Sequence, residues 1–189
     1  MDLTIHIIYD DRNSDDYPRL LGEFIKQTVT PKYRFWNCIV NKDSVVSSIN
    51  ASHKMIINYA KDNKMPFVVV AEQDLEFSCD KSWEYFLGQM PKDFDIYLSC
   101  SYIKDVNPNT SVVSNKICGF HLYVVAEKFY DAFLSVPDNQ HIDTAVGDLE
   151  GNFVFCKPFV ALQRSGFSAN NKAIVNYNAV LNKEDIYKG

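Results

Sequence analysis

The sequence predicts an α/β protein built on a largely parallel sheet. Three observations predict it. Strand-like and helix-like segments alternate through the first half, the order that packs helices on both faces of a sheet. Residues 66–77 (PFVVVAEQDLEF) begin with an unbroken apolar run, which suits a strand covered on both faces. The second half mixes a long strand-like run, a helix and a Pro-interrupted strand, which predicts an added antiparallel element.

Taken in order, residues 3–9 read as the first strand, ending at Tyr9 before the polar cluster Asp10, Asp11 and Arg12. A helix follows, with Pro18 in its first turn, Asp16 near enough to cap it, and Leu20, Leu21, Phe24 and Ile25 as its apolar stripe. Residues 33–40 (YRFWNCIV) read as a strand. Asp43 or Ser44 caps a helix over about 44–62, where Val45, Ile49, Ile56 and Ala60 share a face with or beside Ser52 and His53. After the acidic strand, residues 80–90 predict a short helix capped by Asp80, and 95–99 a strand. Asn107, Pro108 and Asn109 signal a turn. Residues 117–125 read as a strand and 126–136 as a helix ended by Pro137. Residues 141–151 read as a short helix closed by Gly151. Residues 153–162 read as a strand that Pro158 assigns to an edge. From Ser168 onward the chain is polar, Asn-rich and weakly patterned.

The 189 residues fit one domain spanning 1–189, with 168–189 as its polar tail. Apolar content of 47% and charged content of 23% are those of a globular protein. A net charge of −5 and the lack of a long basic run argue against nucleic acid as a partner. No apolar run is long enough to cross a bilayer, and MDLTIHIIYDD lacks the basic start of a signal peptide. Five cysteines without metal or disulfide spacing fit a reducing, cytoplasmic setting.

The chemistry concentrates after the central strand, at Glu72, Gln73 and Asp74. Ligands of open α/β sheets bind at the carboxyl ends of the strands. In an extended segment Glu72 and Asp74 lie on one face. Two such carboxylates suit Mg²⁺ or Mn²⁺ bound to a diphosphate, which takes one or two protein ligands and fills the rest with phosphate oxygens and water. A solvated strand end is the plainer alternative. Asp10, Asp11 and Arg12 leave the first strand where a nucleotide site holds base and ribose; a polar turn is the simpler reading of them. Ser52 and His53 have no third member at triad spacing, and a core histidine is the simpler reading of His53.

Four segments together resemble the GT-A-fold glycosyltransferases, closest to family 25, the lipopolysaccharide-biosynthesis type, and its small viral and bacterial relatives. They are the opening strand with its polar end, SINASHKMIINYA before the acidic strand, GFHLYVVAEKFYDAFL, and HIDTAVGDLEGNFVFCKPFVALQRSGFS. Gln73 stands where that family carries an acid. The resemblance implies a Rossmann-like GT-A domain that transfers a sugar from a nucleotide-diphosphate donor to a hydroxyl of a glycan or glycoprotein, with inversion. It implies a donor side of Tyr9, Asp10, Asp11, Arg12, Ser52, His53, Glu72, Gln73 and Asp74, with Asp74 and Glu72 on the cation. It implies Asp143 as general base, Asp148 and Glu150 in reserve, and His121 and Gln163 near the acceptor. An N-cap role explains Asp143 as well. Two other classes stay open: a non-catalytic glycan- or partner-binding module of the same fold, and a nucleotidyltransferase. The absence of Gly from YDDRNSDDYP, where a phosphate loop would stand, disfavours the latter.

Overall fold

A computed structural model describes residues 3–12, 16–102, 118–168 and 171–189. The turn expected at Asn107, Pro108 and Asn109 lies outside them. The central sheet holds six strands: β1 (Thr4–Tyr9), β2 (Lys32–Asn37), β3 (Phe67–Glu72), β5 (Ile96–Leu98), β6 (Leu122–Ala126) and β7 (Phe153–Phe155). Their spatial order is β2-β1-β3-β6-β5-β7. Only β6 runs against the rest, paired antiparallel to both β3 and β5. The sheet is therefore mostly parallel, as the alternating pattern predicts. The antiparallel strand lies inside it rather than at an edge.

Five α-helices cover the sheet: α1 (Asp16–Ile25), α2 (Val45–Asp62), α3 (Ser82–Gln89), α4 (Tyr130–Ser135) and α5 (Ile142–Gly147). Strand residues alternate between the faces. Ile5, Ile7, Val69 and Ala71 pack with Leu20 and Phe24 of α1 and Trp83 and Phe86 of α3. Val68, Val70, Ile96 and Leu98 pack with Ile56 and Ile57 of α2, Tyr130 and Phe133 of α4, and Val146 of α5. Burying each such side chain contributes about 1.5–3 kcal/mol. The buried tyrosines keep their hydroxyls bonded, Tyr97 to the Phe86 carbonyl at 3.0 Å and Tyr130 to that of Met65 at 3.1 Å.

Local signals decide several ends. Ser44 caps α2, its side chain accepting the Ser47 amide at 3.1 Å. Asp80 does not cap α3; Lys81 holds that position without a side-chain bond. Gly151 does not close α5, which ends at Gly147 with Asp148 after it. Residues 127–129 form a 3-10 turn ahead of α4. The run expected over 153–162 divides around Pro158, which lacks an amide hydrogen. Its first part is edge strand β7. Its second is β8 (Ala161–Gln163), which pairs antiparallel with β4 (Leu75–Phe77) in a separate small sheet.

The polar tail is more ordered than its composition suggests. Strands β9 (Gly166–Ser168) and β10 (Ala173–Val175) pair antiparallel, and 3-10 turns follow at Tyr177–Val180 and Lys183–Asp185. The Tyr187 ring stacks on Tyr85 at 4.1 Å, and its amide donates to the Phe159 carbonyl. Aromatic anchoring compensates for weak patterning here.

Candidate functional site

Strand β3 ends at Glu72, and Gln73 and Asp74 form the two-residue link into β4. Four partners fix that link. The Gln73 side-chain oxygen accepts the Asp10 amide at 2.7 Å, joining the ends of β1 and β3. The Arg19 guanidinium donates to the Gln73 and Leu75 carbonyls. The Arg164 amide donates to the Asp74 carbonyl at 2.8 Å. Gln163 Nε2 donates to Asp74 Oδ2 at 2.7 Å. The other oxygen, Asp74 Oδ1, is buried with no hydrogen-bond partner. An orphaned buried carboxylate oxygen is costly and calls for a missing ligand.

Glu72 is held from behind. His53 of α2 donates from Nε2 to Glu72 Oε1 at 3.0 Å, and His53 Nδ1 bonds the Tyr123 hydroxyl at 2.7 Å. Burial works to raise the Glu72 pKa, but the His53 hydrogen bond and the charges of His53 and His121 bring it below the usual carboxylate value. Asp74 moves the other way. Burial raises its pKa and the nearby Glu72 charge adds to that, against the Gln163 bond and the Arg19 charge. One acid is thus held ionised while its neighbour resists ionisation. A cation placed between them would reverse that resistance.

These groups line a cleft of about 960 Å³ at the carboxyl ends of β1 and β3. That volume accommodates a ligand of cofactor size. Asp10, Arg12, Ser52, His53, Glu72, Gln73, Asp74, Asp143 and Gln163 all line it. Within it Arg12 folds back on Asp10 at 2.6 Å, and that bond holds the Asp10 pKa down. The Ser52 hydroxyl is committed to structure: it accepts the Ile39 amide and donates to the Ser48 carbonyl. Asp143 is the second residue of α5 and not its cap, which is His141. Its Oδ2 accepts the Gly119 amide at 3.2 Å and its Oδ1 that of Thr144 at 2.8 Å. Gly119 sits at φ +110, and a Cβ there would meet the Tyr102 ring at 2.9 Å, so the approach to Asp143 requires glycine.

Five expected residues do not line the cleft. Tyr9 is buried with its ring against Tyr17 and Phe35. Asp11 and Asp148 are exposed elsewhere, as is Glu150. His121 is fully buried, its Nε2 bound to the Ala161 carbonyl at 2.8 Å and its Nδ1 unpartnered. It lies in the turn just ahead of β6, and the bond to Ala161 holds its ring in the interior. Sequence reading also missed Lys42, Arg164 and Tyr177, which line the cleft from loops that carry no periodic signal. Arg164 pairs with Asp16 at 2.6 Å across a separation that no spacing rule reveals.

No protein-family model matches the chain, and no curated protein matches its sequence. Solved structures align with it more loosely. One is a glycosyltransferase involved in glycosylation of the major capsid of PBCV-1, 8% identical over 70% of this chain with a TM-score of 0.46. Another is a Drosophila β1,4-galactosyltransferase 7 variant with manganese, UDP-galactose and xylobiose, 13% identical over 82% with a TM-score of 0.48. A third is HddC from Yersinia pseudotuberculosis with GMP-PN, 12% identical over 85% with a TM-score of 0.46. The chain spans 63% and 65% of the first two and 93% of the third. Among the described residues, no helix is long and apolar enough to cross a membrane.

Proposed function

We propose that this protein is a glycosyltransferase of the GT-A, family-25-like type. In this reading it moves a sugar from a nucleotide-diphosphate donor to an acceptor hydroxyl on a glycan or glycoprotein, with inversion, in a reducing, cytoplasm-like compartment. The single observation that carries it is the Gln73–Asp74 link. It places Asp74, one oxygen of which is buried and unpartnered, beside Glu72 in the lining of a large cleft at the carboxyl edge of the sheet.

A divalent cation suits these residues. No three His, Cys, Asp or Glu side chains converge as a cage among the described residues. Mg²⁺ or Mn²⁺ on a diphosphate needs only one or two protein carboxylates. Asp74 would hold it through Oδ1, with Glu72 beside it. When bound, such an ion offsets the charge that accumulates on the departing diphosphate.

The chain's own residues divide the remaining work. Gln163 fixes the Asp74 carboxylate, and the Tyr123–His53 pair fixes Glu72, so neither needs to reorient as charge develops. Asp143 takes the acceptor proton as the acceptor oxygen bonds to the sugar's anomeric carbon. The bond from that carbon to the diphosphate breaks, and the electron pair leaves with the phosphate. Gln73 is spent on the Asp10 amide. In the place of an acid, Gln73 therefore serves the link between β1 and β3, and Glu72 and Asp74 remain for the cation.

The test is product analysis across a panel of nucleotide sugars. Release of a nucleoside diphosphate with transfer to an acceptor, lost in a folded Asp74→Ala variant, supports the proposal. Release of pyrophosphate would make the protein a nucleotidyltransferase. Glycan binding without turnover would make it a binding module.

A further inference from the structure

The sheet carries a second hollow at the opposite end from the cleft. It measures about 290 Å³ and lies beside the starts of β1 and β3, under the last turns of α2. Leu3, His6, Arg34, Tyr59, Met65 and Phe67 line it. Nothing in the proposed glycosyl transfer uses these residues.

His6 and Arg34 are direct partners in the parallel β1–β2 register, so their side chains leave the same face. Trp36 Nε1 donates to His6 Nδ1 at 3.0 Å. An indole N–H only donates, so Nδ1 is the accepting nitrogen and the imidazole carries its proton on Nε2. His6 is only 3% exposed, yet its Nε2–H has no protein partner among the described residues. A donor without a protein partner, on a ring that lines a hollow, can serve an acceptor placed there.

Arg34 supplies the second group. Its guanidinium lies 4.2 Å from the centroid of Trp36 and 4.9 Å from that of Tyr59. The two rings fix the plane of the fork. No carboxylate among the described residues pairs with it, so its N–H edge stays available. The remaining walls are apolar at Leu3, Met65, Phe67 and Val69, with Thr4 as a further polar residue.

We propose that this hollow binds a small organic carboxylate. The anionic head takes the Arg34 fork, a geometry that matches a carboxylate with two parallel N–H bonds, and the His6 Nε2–H. The apolar body lies on Tyr59, Met65 and Phe67. One fixed cation balances one negative charge. A phosphate dianion would bring a second charge with no second cationic side chain among the lining residues to pair it.

The test is a titration of the whole protein followed by NMR of the Trp36 indole and His6 imidazole signals. Sodium benzoate is the probe, benzyl alcohol the uncharged control and inorganic phosphate the competitor class. Benzoate is expected to shift both signals saturably, with a dissociation constant of about 1 mM or tighter. Arg34→Gln is expected to weaken it about tenfold or more, because the charge-assisted bonds are lost. Arg34 is exposed on an edge strand, so the variant should melt near the parent, and Arg34→Lys, which keeps the charge without the fork, should fall between the two. Absence of a saturable shift, equal binding in Arg34→Gln, equal binding of benzyl alcohol, or preference for inorganic phosphate would each overturn the proposal.

Discussion

Gln163 Nε2 donates to Asp74 Oδ2 at 2.7 Å, across 89 residues of sequence. That bond ties β8 to the link after β3 and leaves the second carboxylate oxygen buried without a partner. Gln163→Leu should therefore disorder the acid without removing it. Transfer should fall about 10- to 100-fold, the usual effect of losing a group that orients a ligand. The melting temperature should fall modestly, because Asp74 Oδ2 loses its donor, a change worth about 1–3 kcal/mol. Steady-state kinetics beside a melting curve checks this.

His53 stands between Tyr123 and Glu72, and each bond has its own predicted cost. Tyr123→Phe removes one buried hydrogen bond and should cost about 0.5–1.5 kcal/mol. His53→Leu strips the buried glutamate of its donor and should cost more, about 1–3 kcal/mol. Because Glu72 has its pKa lowered in the fold, its contribution is present above the unfolded value and lost as pH falls through the folded one. The loss in His53→Leu should therefore be largest near neutral pH. Denaturant melts at several pH values measure it.

His6 sets a different pH dependence. Burial, and then the Arg34 charge, lower its pKa from 6.5 to about 4. Between those values the unfolded chain binds a proton that the fold refuses. Stability from this residue is thus full above about pH 6.5 and declines toward pH 4, by up to about 2–3 kcal/mol. His6→Gln can still accept from Trp36 and should flatten this part of the curve of melting temperature against pH.

Asp143→Asn keeps the shape of the side chain and its place near Gly119 but cannot take a proton. If it is the base, transfer should fall about 10²- to 10⁴-fold, while binding of a nucleoside diphosphate is unchanged. A parallel loss of nucleotide binding would move Asp143 to the donor side.

The central strand, a cap at Asp43 or Ser44 and an edge strand at Pro158 were legible because each depends on neighbours in sequence, whereas the division of 153–162 into β7 and β8 was not. The apolar run 67–71 could bury both faces only as a strand covered by helices. What joins distant segments was not legible. Nothing near Gln73 announces that its amide bonds Asp10, and nothing near Arg19 shows that it clamps the Gln73 carbonyl. His121 looked like an alternating strand residue able to face a ligand. In the fold its ring is buried and bonded to the Ala161 carbonyl, a partner 40 residues away that no local pattern reveals. The reversed strand was anticipated as an antiparallel element, but its place between β3 and β5 depends on which edge offers the better burial, a property of the whole sheet. The tail was underestimated because its anchors, Tyr187 and Phe159, are single residues without a period.

The account turns on Asp74 holding a cation against a diphosphate. The most direct measurement is calorimetric titration of nucleoside diphosphates, with and without Mn²⁺, into the parent protein and Asp74→Asn. The account predicts that one nucleoside diphosphate binds the parent only or far more tightly with Mn²⁺, and that a folded Asp74→Asn loses the Mn²⁺ enhancement. Equal Mn²⁺-dependent binding by the two proteins, or no binding by the parent under any combination, would contradict it.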